Sequence, residues 1–131
     1  MTKSALIFAG GVLGAVGIAA RAFEAHGITM LADITQPQLT DFAAATEIVL
    51  IHALAILAVA GIADYVPRAA RYCGILFTLG VILFAAPLFH YGLTGTRSAM
   101  MLTPVGGVSL IAGWLVVAVG GALRLIRKSA L

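Results

Sequence analysis

The sequence predicts an all-α integral membrane protein, a four-helix bundle in up-down order with both termini cytoplasmic. Three observations predict it. Hydrophobic residues make up 62% of the 131 and charged residues only 10%, with a mean hydropathy of +1.11. A soluble domain of this size needs far more charge to stay dispersed. Four long apolar stretches fill most of the chain, each close to the roughly 20 residues that cross a hydrocarbon core about 30 Å thick. The stretches are continuous rather than alternating, which selects helices over a closed barrel.

The expected spans cover about residues 5–23, 42–63, 72–91 and 104–123, and together they form a single membrane domain over residues 1–131. Lys3, the first apolar run and Ala20-Arg21-Ala22 have the outline of a signal peptide, but the run is long for that purpose and reads as a span. Thr35 followed by Pro37 marks the start of the second helix outside the bilayer. A helix from there to residue 63 is near 40 Å long at about 1.5 Å per residue, so it tilts or projects. Gly92 and Gly95 are expected to end the third helix, and Thr103-Pro104 to start the fourth. Pro87 falls inside the third span, where it removes a backbone donor and favours a kink.

Basic residues set the orientation. Lys3, Arg68, Arg71, Arg124, Arg127 and Lys128 fall on one side in any four-span order, and only Arg21 and Arg97 on the other. Six of the eight thus place both termini in the cytoplasm, in the inner membrane. The net charge of +3 reports this topology and the anionic headgroups; it is no nucleic-acid footprint. The lone cysteine, Cys73, is expected to be a buried small hydrophobe.

Glycine is the next signal. Gly10, Gly14 and Gly17 mark one face of the first helix, and Gly106, Gly113 and Gly120 recur every seven residues along the fourth. Membrane helices associate by close packing, which small residues permit. The expected use is packing of the first helix on the fourth, with Gly107 and Gly121 widening the smooth surface toward an outward contact with a second copy or a partner.

Polar side chains in the spans carry whatever chemistry exists. Arg21, near the outer end of the first helix, and Glu47, early in the second, are the economical ion pair, with Glu24 the rival three residues from Arg21. His52 lies near the midplane, while His26 and His90 lie near the outer surface. His52 is expected to hydrogen-bond a neighbouring helix, because an unpaired midplane imidazole is costly. Imidazole and carboxylate suit zinc, copper or iron, yet no pair has a local ligand spacing, so neither metal nor haem is expected. No phosphate loop, nucleophile elbow or C-x-x-C is present. The reading is non-enzymatic and without cofactor.

The segment Ala22-Phe23-Glu24-Ala25-His26-Gly27 resembles the GAFGAHG stretch of the domain of unknown function 423 family, small bacterial inner-membrane proteins related to a small eukaryotic transmembrane protein. His52-Ala53-Leu54-Ala55 is similar to the family's HALA, and Leu102-Thr103-Pro104-Val105-Gly106-Gly107 to its ITPIGG, followed by Gly113-Trp114. Leu93-Thr94-Gly95 also fits. The resemblance runs through the whole chain and implies a four-helix membrane fold with no established activity. The family pattern has glycine where this chain has Arg21 and Glu24, often glutamine where it has Val49, and a small residue where it has Pro87.

Two function classes follow. One is a structural or accessory subunit, in the bilayer as a homo-oligomer or in a larger membrane complex. The other is a solute or ion pathway using the histidines and Glu47, with metal or haem binding a distant third. Abundant glycine and the lack of a continuous polar stripe favour the first.

Overall fold

Among the described residues, four helices run antiparallel in sequence order: α1 (Lys3–His26), α2 (Gln36–Ile62), α3 (Pro67–Thr94) and α4 (Leu102–Ser129). A short 3-10 turn, Ile28–Met30, follows α1. The structure, a computed structural model, describes residues 1–31 and 33–129. The Lys128 side chain, counted above for orientation, lies outside the described residues. All four helices are long and apolar enough to span a membrane.

Each helix exceeds its apolar run by a polar turn or more. At 27 and 28 residues, α2 and α3 are about 40 Å long, some 10 Å more than the hydrocarbon core. Capping accounts for several of the extensions. Thr2 accepts the Ala5 N–H at the start of α1. Thr35 caps α2 in a reciprocal box, with Gln38 reaching back to the Thr35 N–H at 3.1 Å. Gly95 ends α3 in the left-handed region at φ 70°, returning its N–H to the Tyr91 carbonyl. Gly92, expected to help end α3, instead lies inside it, buried against Phe42 of α2. Helix α4 starts one residue before Thr103, whose buried hydroxyl has no partner among the described residues.

Cross-helix contacts fix the up-down order. Lys3, at the start of α1, is ion-paired with Asp64 in the α2–α3 turn. Gln38, at the start of α2, donates to the Gly92 carbonyl at 3.3 Å near the end of α3. Gly80 and Gly106 meet where α3 and α4 cross, and Gly120 meets Ala69 near the opposite ends of the same pair.

Helices α2 and α3 form the middle, with α1 on the α2 side and α4 on the α3 side. Half of the apolar window of α2 is buried and 44% of that of α3, against 17% for each of α1 and α4. The core comprises Val49, Ile56 and Val59 of α2 with Cys73, Phe77 and Val81 of α3, joined by Leu6 from α1 and Leu110 from α4.

The glycine stripes serve sequence neighbours, which corrects the expected pairing of α1 with α4. A Cβ on Gly10 would lie 2.7 Å from Leu57 Cγ and 3.1 Å from the Ala53 carbonyl, and one on Gly17 would meet Leu50, all on α2. Gly14 sits more loosely, 3.9 Å from Ala53 by the same measure. On α4, Gly106 is pressed on the backbone of α3 at Gly80, Leu83 and Phe84, and Gly113 on the Phe77 ring. Pro87, buried within α3, has no N–H for the Leu83 carbonyl. The closest backbone approach of α4 thus falls on the turn that proline has loosened. Gly107 makes only ordinary contact with Phe84, and nothing lies within 4 Å of a Cβ on Gly11 or Gly121.

Candidate functional site

Two polar features interrupt the apolar interior. The first lies near the bilayer midplane, where three helices converge. His52 of α2 is buried, 4% exposed, between the rings of Phe77 from α3 and Trp114 from α4, with centroids 5.3 and 6.1 Å away. Its Nδ1 lies 2.9 Å from the Ile48 carbonyl one turn back, and its Nε2 lies 3.3 Å from the Trp114 indole nitrogen. Indole can only donate and a carbonyl can only accept. These partners therefore select the neutral imidazole with its proton on Nδ1. Both ring nitrogens are occupied, so His52 serves as a tie between α2 and α4. Gly113 makes room for the Phe77 ring: a Cβ there would lie 2.5 Å from Phe77 Cε1. The partner, Trp114, the single tryptophan of the chain, was marked in the sequence only within the Gly113-Trp114 resemblance and not as a partner for His52.

The second feature is a cleft of about 730 Å³ between α1 and α2 in the outer half, bordered by Arg21, Thr40, Thr46 and Glu47. Arg21 donates from one nitrogen to both carboxylate oxygens of Glu24, each at 2.9 Å. The ion pair is therefore local to α1, where Arg21 and Glu24 are one turn apart, and not the expected pair with Glu47. Glu47 borders the same cleft, is exposed, and has no ion pair or hydrogen bond among the described residues. Thr46 beside it is satisfied by its own helix, donating to the Phe42 carbonyl at 3.0 Å.

The other two histidines stand apart. His26 and His90 are exposed at the outer ends of α1 and α3, and no group of three His, Cys, Asp or Glu side chains among the described residues is arranged to hold a metal ion. In the outer loop after α3, Arg97 donates to the Tyr91 hydroxyl at 3.1 Å and stacks 4.6 Å from its ring centre. That hydrogen bond, and then the charge interaction with the same phenol, hold its guanidinium pKa above the ordinary value.

No solved structure matches this chain. Its relatives are membrane proteins. The UPF0382 inner membrane protein YgdD of Escherichia coli is 31% identical over 98% of this chain and 96% of its own length. The UPF0382 membrane protein SSP2132 of Staphylococcus saprophyticus is 29% identical over 87% of this chain and 93% of its own. A counterpart in Staphylococcus epidermidis is 27% identical over 86% and 91%. The model of the family described as "Protein of unknown function (DUF423)" matches residues 20–107, the segment that holds the Arg21–Glu24 pair, Glu47, His52 and the Gly80–Gly106 crossing. Long apolar helices and these relatives together place the protein in the inner membrane as a multi-pass member of the DUF423 family.

Proposed function

We propose that this protein is a non-enzymatic association subunit, whose contact face is the outer half of α1 and α2 around Glu47. The observation that carries the reading is the position of that carboxylate. Glu47 lies five residues, about 7 Å, inside the apolar run of α2, exposed on the membrane-facing surface and unpaired among the described residues. A charge at such depth is costly and ordinarily faces protein. A partner helix laid in the α1–α2 cleft would give it that environment. A second copy is the first partner to consider, because the face carries Arg21 and Glu47 together, as a self-complementary two-fold contact requires. A larger membrane complex is the second. The glycine stripes lend this reading no support, since they are used between neighbouring helices. The pathway reading loses its central residue, because His52 is closed on both nitrogens inside an aromatic cluster.

Photo-crosslinking in native membranes tests it. A crosslinker at Ile51, in the cleft, is expected to yield a discrete protein adduct that Glu47→Gln reduces several-fold. One at Val108, exposed on α4, is expected to yield none. Lipid adducts alone from Ile51, or a protein adduct unaffected by Glu47→Gln, would overturn the proposal.

A further inference from the structure

The opposite end of the molecule carries a second cleft, of about 600 Å³, between the start of α3 and the last turns of α4. Arg68, Arg124 and Arg127 line it and no acidic residue does. Asp64, the acid closest in sequence, is engaged by Lys3. The start of α3 adds to the positive potential, having neither a side-chain cap nor an acid in its first turn. Arg124 is held in place by stacking over the Tyr65 ring, 4.7 Å from its centre. Below the arginines the cleft turns apolar. Leu115, Val119 and Leu123 repeat every four residues down one face of α4, a track about 12 Å long. Gly120, a Cβ on which would lie 2.6 Å from Ala69 Cβ, keeps the two helices close there.

We propose that this cleft is a site for an anionic phospholipid, its phosphate held by Arg68, Arg124 and Arg127 and an acyl chain lying along Leu115, Val119 and Leu123. Charge at one end and a lipid-facing track at the other match the two halves of such a molecule. Guanidinium groups suit phosphate because their N–H groups can pair with two oxygens at once. The site also lies at the end of the bundle where positive charge gathers, with Lys3 and Arg71 close in height, the end the basic-residue bias assigns to the negatively charged cytoplasmic leaflet. At the other end of the α3–α4 pair the single arginine, Arg97, is already committed to Tyr91.

The test is native mass spectrometry of the full-length protein in a neutral detergent, with phosphatidylglycerol, phosphatidylcholine or inorganic phosphate added. Phosphatidylglycerol is expected to form a one-to-one adduct at least tenfold more readily than phosphatidylcholine, and inorganic phosphate at equal concentration not to displace it. Each arginine is expected to contribute about fivefold, so Arg124→Gln with Arg127→Gln lowers binding about 25-fold, and Lys at both positions restores most of it. Val119→Trp, on an exposed face, fills the acyl track with every arginine kept and is expected to lower binding at least fivefold. Circular dichroism and the unfolding midpoint confirm that each variant is folded. Equal binding of the two lipids would overturn the proposal, as would displacement by phosphate, or undiminished binding in either the arginine or the Val119→Trp variant. Should the arginine variants fail to fold, lipid preference and Val119→Trp still decide it.

Discussion

Trp114 donates its indole N–H to Nε2 of His52 across 3.3 Å, tying α4 to α2 over a separation of 62 residues. His52 is buried while Trp114 is half exposed on α4, and the Phe77 ring packs against both partners. A double-mutant cycle with Trp114→Phe and His52→Phe is expected to show a coupling of about 0.6 kcal/mol and at most about 1.7, the range for hydrogen bonds between membrane helices. Unfolding in mixed micelles measures it. Strictly additive losses would mean that the two side chains do not act together.

Gly106 and Gly121 both lie on α4 but have opposite surroundings. A methyl group on Gly106 would strike the backbone of α3, which cannot rotate away, whereas one on Gly121 meets nothing within 4 Å. Gly106→Ala is therefore expected to cost about 1–3 kcal/mol, as overpacking does. Gly121→Ala should be neutral or slightly stabilising through its better helix propensity. Equal tolerance at both sites would contradict the crossing at Gly80 and Gly106.

The local pair of Arg21 with Glu24 is exposed on the arginine side, 63% against 20% for the glutamate. Its coupling in the purified protein is expected to be about 0.3–0.5 kcal/mol, the level of one-turn helix pairs in solvent. The Arg21–Glu47 coupling, measured in dilute monomeric protein so that no second copy can contribute, should be near zero. A larger second value would restore the cross-helix pair.

Gln38 serves two elements at once, closing the Thr35 cap and donating to carbonyls at the end of α3. Gln38→Leu removes both roles and leaves the Thr35 N–H and the Gly92 carbonyl without this partner. A loss of about 1–2 kcal/mol is expected, with most of the effect at the outer end. Hydrogen exchange of the Thr35 to Leu39 amides should rise more than that of the core of α2.

Reporter fusions at the C-terminus and within residues 94–98 are expected to report opposite sides of the membrane, the first cytoplasmic. The same side for both would reject the up-down order, and an exchange of the two sides would reject the orientation taken from the basic residues.

Hydropathy made the four helices legible because each apolar run matches the thickness of the hydrocarbon. It marked the hydrocarbon and not the helix, which is why the turns at Pro67 and Ser129 lay beyond the expected spans, whereas Thr35 and Pro37 had announced the early start of α2. Glycine stripes announced close approach without naming the neighbour. Gly80 was passed over because it stands six residues from Gly74, at no close-packing spacing, although it forms half of the tightest crossing. At the outer cleft, depth alone favoured Glu47 for Arg21, but a carboxylate one turn away on the same helix needs no tertiary alignment to pair. For His52, the need for a partner could be read from its place in the span. The identity of that partner depended on how α4 lies against α3, which no spacing within one helix records.

The order of packing, with α1 resting on α2 and α4 on α3, divides the chain at the short turn of residues 63–66 into two hairpins that share one core. Each has its own glycine contacts, and the two meet along α2 and α3. Biogenesis can therefore proceed as two insertion events followed by lateral docking, and the halves of a gene severed at that turn should purify together from the membrane when co-expressed.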